Sequence, residues 1–513
     1  MRPVKPPVAD DHQGMSRTSP TVSIIKRPWD EVSSNGIMPC LNISAAENLA
    51  NNGIGSASLK MAASLTSRTG LPVVVRSQGH YLELNDGRQV LDACGGAGVT
   101  CIGYGNSEVL SAMSAEASNL TYIPWAFFDN QSTIDLQDWL IQSTGGKMTK
   151  VYLQSSGSEA VEAAIKLARE YFVWKSEPQR ISFIAREDSY HGITIGSLSV
   201  SGHRGRRANF EDILLPNVHR IPACNAYRQR LPNEPDEAFV DRKAAELEAA
   251  FQTADPNTIA AFIAEPVVGA ALGCVPSPPG YFKAMKAVCE QHGALLILDE
   301  VMCGMGRTGT LHAWEQEGVV PDIQCVGKGL AGGYQACSAV LASAQVVGVM
   351  NKAKAAFTHG HTFGNHAVVS AAALAVQGII SREGLVANTR EQGGYLEAAL
   401  RQRLGCHPHV GDIRGRGLFW GVEFVRDKAS RKPFDPALLV ARLVHEKAMA
   451  GGKKGGPMMI YHGQGCAGNK RGDHVMIMPA YNVDARMVDV IVQRLGNAVD
   501  AAFEELAKRG LTS

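Results

Sequence analysis

Three things are missing from this 513-residue sequence: an excess of charge of either sign, closely paired cysteines, and a long unbroken apolar run. Lys and Arg together number 50 against 49 acidic residues, a formal balance of +1, so bulk electrostatics gives no reason to expect nucleic acid or an anionic membrane as partner. The 11 cysteines form no Cys-x-x-Cys pair, and several, among them Cys94, Cys101 and Cys337, sit in apolar or glycine-rich runs. That pattern fits buried, reduced thiols and argues against a zinc site or a disulfide framework, and no metal is expected. Apolar stretches are broken by charge, Gly or Pro before they reach the ~20 residues that a membrane-spanning helix needs. No secretory signal is evident. Arg2, Lys5 and Arg17 lend the N-terminus some basic character, but Asp10, Asp11 and several prolines oppose the acid-poor amphipathic helix of a mitochondrial signal. The expected compartment is cytoplasmic, with mitochondrial as the alternative.

What is present reads as an ordinary globular chain, 45% hydrophobic and 19% charged, long enough for two substantial cores. Residues 71–92 pattern as strands around an Asn85-Asp86-Gly87 turn. Between about 105 and 380, helical patterns alternate with short strand-like runs at 181–184, 259–264 and 294–298. Near-continuous apolar strands separated by helices predict a mostly parallel sheet covered on both faces, with ligands gathering at the carboxyl ends of the strands. From about 381 the texture changes to helices with strands near 417–424 and 475–478, ending in a long amphipathic helix near 484–509, as in a smaller α+β domain. The expected layout is a partly disordered N-terminal extension over 1–70, an N-terminal part of the small domain over 71–110, a large ligand-binding domain over 111–380 and a C-terminal small domain over 381–513. The stretch 41–65 reads as one helix covering a site entrance.

Five stretches carry candidate chemistry. Ser156-Gly157-Ser158-Glu159 opens a helix over 161–171; Ser156 with Glu159 three residues on fits a capping box, and the open amides of such a turn favour a phosphate. Alone, it describes a capped helix equally well. Tyr190-His191-Gly192 follows a strand-like run and offers an aromatic face with room at its edge. Leu295-Leu296-Ile297-Leu298-Asp299-Glu300-Val301 delivers two carboxylates to the sheet's functional edge. A carboxylate there suits a ring nitrogen that must stay protonated, worth roughly 1.5–3 kcal/mol as a charge-assisted hydrogen bond, or else a Mg²⁺ or acid–base pair. Gly327-Lys328-Gly329 lacks both the following Ser/Thr and the preceding Gly of a nucleotide P-loop; its glycines instead let a bulky carbonyl compound approach an amine. His359 to His366 places three histidines in a glycine-containing loop, more readily a hydrogen-bonded turn than a metal site, with Thr362 as a phosphate donor.

In order and spacing, Ser156-Gly157-Ser158, Tyr190-His191-Gly192, Glu265-Pro266, Asp299-Glu300-Val301, Gly327-Lys328-Gly329 and Thr362-Phe363-Gly364 resemble the class III, pyridoxal-phosphate-dependent aminotransferases over about residues 71–505. The resemblance implies an α/β protein of the fold type I transferases, a large domain with a mixed, mostly parallel sheet plus a smaller α+β domain. It implies pyridoxal 5′-phosphate as cofactor, a small-molecule amino donor and carbonyl acceptor, and a ping-pong cycle. Lys328 is then the Schiff-base lysine and proton shuttle, and Asp299 the partner of the ring nitrogen. Ser156, Gly157 and Ser158 hold the phosphate, Tyr190 and Val301 cover the two ring faces, and His191 and Glu265 lie at the ring's edge. Thr362 is expected to reach the neighbouring subunit's cofactor in a homodimer. Aminomutases, racemases and decarboxylases on the same scaffold share Lys328 and Asp299 and form the alternative.

Ornithine and γ-aminobutyrate aminotransferases carry a gating Glu and a carboxylate-binding Arg where this chain matches Ala270 and Met476. Amine-specific relatives often carry a Trp where this chain has Gly98, which suggests a roomier pocket and a bulky or unusual donor, not ornithine or γ-aminobutyrate. Arg414, Arg416, Lys470 and Arg471 remain as carboxylate binders, the first two equally readable as structural. The glycine-rich stretch 461–473 reads as a mobile loop over the site.

Overall fold

The computed structural model describes residues 71–452, 455–468 and 471–511. The N-terminal extension, with the helix expected at 41–65, and Lys470 lie outside the described residues. β1 (Val74–Gln78), β2 (Tyr81–Leu84) and β3 (Gln89–Asp92) form an antiparallel meander. The Asn85-Asp86-Gly87 turn joins β2 to β3; Asp86 Oδ1 accepts the Arg88 amide at 3.1 Å, and Gly87 takes a φ of +85° that a side chain would oppose. A further reversal at Gly79 splits what the pattern shows as one run.

β4 (Met148–Gln154), β5 (Ser182–Arg186), β6 (Val218–Ile221) and β7 (Ile259–Ala264) come next. A short hairpin, β8 (Val267–Val268) with β9 (Val275–Pro276), precedes β10 (Leu295–Asp299), β11 (Ile323–Val326) and β12 (Ser338–Ser343). All of these except the hairpin join one seven-stranded sheet in the order β4-β12-β11-β10-β7-β5-β6. The strands from β11 to β6 run parallel, while β12 is antiparallel to both its neighbours.

Both faces of this sheet are covered, which is why its strands are apolar throughout. On one face lies the helix Gly157–Trp174, whose Ala160, Ala164 and Ala168 share a core with Phe183, Leu295 and Ile297. On the other, the helices Asp236–Thr253 and Tyr281–Gln291 bring Phe239, Leu247 and Phe282 to Phe262, Leu296 and Leu298. Each such buried Leu, Ile or Phe contributes roughly 1.5–3 kcal/mol.

The second layer system contains β13 (Val410–Arg416) and β14 (Phe419–Phe424), then β15 (Met458–Met459), β16 (Tyr461–Gln464) and β17 (Asp473–Ile477). An antiparallel sheet forms in the order β13-β14-β17-β16, whereas β15 leaves it to run parallel to β3. The last long helix, Ala485–Lys508, starts where the Asp484 side chain accepts the Met487 amide at 2.8 Å, and it buries Val488, Ile491, Val492, Leu495 and Val499 along one stripe. The stretch 461–473 is not simply a loop: its first four residues are β16, hydrogen-bonded to β17. Among the described residues the cysteines are free, and no single helix is long and apolar enough to cross a membrane.

Candidate active site

Strand alternation distributes the two carboxylates at the end of β10. Leu295 and Ile297 point to the core under the helix Gly157–Trp174, and Leu296 and Leu298 to the opposite core. Continuing the pleat, Asp299 falls on the first face and Glu300 on the second. Glu300 is fully buried there, accepting the amides of Ala313 at 2.6 Å and Trp314 at 2.8 Å, and burial pushes its carboxyl up to about 8. It anchors a loop. The two adjacent carboxylates therefore do not act as a pair, which removes the metal or acid–base reading of the Asp-Glu motif.

Asp299 lies at the bottom of a cavity of about 280 Å³. Its Oδ1 accepts the Val301 amide at 3.1 Å and its Oδ2 accepts from His191 Nδ1 at 2.8 Å, while His191 Nε2 has no hydrogen-bond partner among the described residues. Lys328 enters the same cavity from the end of β11. Its backbone φ is +43°, a region that costs a non-glycine residue on the order of 1–3 kcal/mol and that turns the side chain out of the strand's alternation. The amine donates to the Ala97 carbonyl at 2.6 Å. Burial outweighs the nearby Asp299 and Glu265 and pushes the ammonium down to about 8, and the residue is exposed only in part.

Glu265 follows β7. Its Oε1 accepts the Tyr190 amide at 3.0 Å and its Oε2 the Gly269 amide at 2.9 Å, and burial raises its carboxyl above the usual range. It thereby fixes the backbone that carries the Tyr190 ring. Ser156 caps the helix Gly157–Trp174 through the Glu159 amide, at 3.3 Å, but Glu159 reaches back to the Ser155 amide, at 3.1 Å, where a capping box would take that of Ser156. Ser158 Oγ accepts the Ile193 amide at 3.1 Å. Gly157 has to be glycine: a Cβ there would stand 2.6 Å from Val301 Cγ1.

Eight of the ten candidates line this one cavity: Gly157, Ser158, Tyr190, His191, Glu265, Asp299, Val301 and Lys328. Ser156 does not line it, since its hydroxyl is used by the cap, and Thr362 lies on an exposed loop. The cavity also takes in Ala97, Met302, Arg206 and Tyr461, which no motif singles out. The roomier pocket expected at Gly98 is not found: Met478 Sδ and Met302 Cε lie 3.3 and 3.6 Å from where a Cβ would be, so two methionines occupy that volume. Arg414 is buried against Glu423 and Asp412 and donates to the carbonyls of Leu272 and Gly273; Arg416 pairs with Glu317 and the Ser277 carbonyl. Both are structural, and Arg471 lines a different cavity.

A large domain with a mostly parallel sheet and a smaller α+β domain is the fold of the type I pyridoxal-phosphate transferases. The chain belongs to the class III aminotransferase family, whose model, Aminotransferase class-III, matches residues 64–499. An aminotransferase of Gibberella zeae is 46% identical over 433 residues, 84% of each chain. An uncharacterized aminotransferase of Schizosaccharomyces pombe is 41% identical over 435 residues, 85% of this chain and 94% of that one. The omega transaminase from Pseudomonas jessenii, solved in complex with PMP, superposes with a TM-score of 0.81 at 30% identity, over 88% of this chain and 99% of that one. The protein is a pyridoxal-phosphate-dependent enzyme that transaminates small-molecule amines and carbonyl compounds by a ping-pong cycle.

Proposed function

We propose that Lys328 and Asp299 are the catalytic residues of this transamination, with the other cavity residues holding the cofactor between them. The observation that carries this reading is a buried amine with a lowered ammonium pKa sharing one cavity with a buried, hydrogen-bonded carboxylate. The cavity fits pyridoxal phosphate in its chemistry: it is lined by one amine, by the buried carboxylates of Asp299 and Glu265, by the Tyr190 ring and by Gly157 and Ser158 at a helix N-terminus. When bound, the cofactor supplies an aldehyde that captures the donor amine and a ring that delocalises the electron pair left at the donor's Cα.

This chain's residues supply the rest. Asp299 would accept a hydrogen bond from the cofactor's ring nitrogen and keep it protonated, with His191 orienting that carboxylate. Gly157 and Ser158 hold the phosphate at the helix N-terminus that Ser156 caps. Tyr190 and Val301 flank the ring, and Glu265 keeps Tyr190 in register. Lys328 Nζ would hold the cofactor and, once displaced from it, would be the base in the cavity that takes up and returns the proton of the donor's Cα. Donor supplied alone is expected to convert the cofactor stoichiometrically to its amino form with release of a carbonyl product; continued turnover without acceptor would favour an isomerase or decarboxylase.

Burial of Lys328 has a kinetic consequence. With the amine titrating near 8, about a tenth of it is neutral at pH 7 and nearly all at pH 9. Capture of pyridoxal phosphate by the apoprotein, followed by stopped-flow absorbance, is expected to quicken about tenfold between pH 7 and 9 and then level off. A rate still climbing at pH 10 would contradict it.

A homodimer with shared sites is also proposed. Exposed Tyr122, Phe127, Phe128 and Phe363 gather aromatic surface beside Thr362; the Tyr122 and Phe363 rings meet at 6.1 Å, and Trp125 Nε1 ties its segment to the His361 carbonyl at 2.8 Å. F127D/F363D is expected to run as a monomer in light scattering. T362A is expected to stay dimeric but bind the cofactor about 10- to 100-fold more weakly, the loss of one hydrogen bond to a charged phosphate. Unchanged mass in the first variant and unchanged affinity in the second would dispose of the shared site.

A further inference from the structure

We propose that Arg206 anchors a carboxylate of the substrate, at a neck between the cofactor cavity and a second cavity behind it. The proposal rests on the transamination reading of the site and names the substrate class. The second cavity, about 290 Å³, shares Arg206, Ala270 and Tyr461 with the first and extends between Asp188 and His203 on one side and Tyr461 to Gly465 on the other. A donor whose amine meets Lys328 therefore extends past Arg206.

The guanidinium is placed for the task. Its carbon lies 4.9 Å from the centroid of the Tyr190 ring, and the Arg206 amide is tied to the His203 carbonyl at 3.0 Å. Tyr190 is itself fixed by Glu265, so the stack gives the guanidinium a defined plane. Among the described residues no carboxylate pairs with it. The neighbouring acids are otherwise engaged: Glu187 lies 3.6 Å from Arg204, and Arg204 is the cation that acts on Asp188. His203 is held neutral by burial and by Arg206 itself, so it does not compete for the anion.

Among the described residues, the other cations expected to bind a carboxylate are committed or elsewhere: Arg414 and Arg416 to buried acids, Arg471 to another cavity. Ala270 brings no charge to the neck, and Met476 is buried in an apolar cluster. A guanidinium fork with free N–H donors is matched to a carboxylate, which it takes through two parallel hydrogen bonds.

L-α-amino acids and ω-amino acids of three to six carbons, each paired with its carboxamide, are given to the holoenzyme, and kcat/KM is measured for every pair. The parent enzyme is expected to prefer at least one carboxylate over its amide by about 100-fold. R206Q should bring that ratio to within about threefold of unity, and R206K, a charge without the fork, should keep an intermediate value. Binding of glutarate, followed by calorimetry, should weaken at least tenfold in R206Q, a readout independent of turnover. Equal ratios in parent and R206Q, a parent with no carboxylate preference, or undiminished glutarate binding by R206Q overturns the assignment. Failure of every donor to alter the cofactor's absorbance in the parent would bring down the transamination reading and this proposal together.

Discussion

Replacing Lys328 with alanine is expected to give a folded protein that still takes up pyridoxal phosphate but turns over at least on the order of 10⁴-fold more slowly. The side chain makes one hydrogen bond, to the Ala97 carbonyl, and belongs to no hydrophobic core, so its loss leaves the sheet intact. The end of the cavity proposed to hold the phosphate is untouched, because Gly157 and Ser158 lie on another element. What disappears is the only amine among the described residues that line the cavity, and with it both covalent attachment and the base that moves the donor's proton. Single-turnover absorbance after donor addition measures the effect. A K328A enzyme within tenfold of the parent would mean that another group carries the proton.

The second large effect is expected at Asp299. D299N keeps the volume and an oxygen for the Val301 amide, but places an amide NH2, itself a donor, where the charged Oδ2 accepts from His191. Without that charge the ring nitrogen loses its proton and the electron sink weakens. A fall in kcat on the order of 10³-fold is expected, with cofactor affinity roughly 10- to 100-fold lower for the lost charge-assisted hydrogen bond. E300Q is the matched control. Its side chain serves the Ala313 and Trp314 amides on the opposite face, so kcat should change by no more than about threefold while thermal stability falls. Equal losses of kcat in D299N and E300Q would contradict the separation of the two carboxylates by the strand's pleat.

That separation shows where the sequence is legible. The run from Leu295 to Leu298 is apolar on both faces, so the pattern gives the strand's existence and end, and the two acids after it were readable as a functional pair; only the packing tells which is which. Lys328, Asp299 and the turn at 156–158 were visible because strand ends in a parallel sheet face one edge. β12, built from Ser338 to Ser343, was not: small residues give no strand signature, and its reversed direction is a property of the partners on either side. Arg206 was invisible as a site residue, since a cation on a four-residue helix belongs to no motif and meets the cavity only through tertiary placement, whereas Tyr461 falls in the stretch expected over the site. The Gly98 expectation failed for the same reason, as methionines from positions 302 and 478 fill the volume that a single position was taken to vacate.

The pairing of β15 with β3 bears on how the enzyme is made. Leu91 and Ala93 donate to the carbonyls of Pro457 and Met459, and the Ala93 carbonyl receives the Met478 amide, a few residues before the Ala97 carbonyl that steadies Lys328. Segments emerging early from the ribosome thus wait for some 360 further residues before their edge is satisfied. Nascent chains released short of Met459 would carry β3 with one edge unpaired, and chaperone dependence should track that interval.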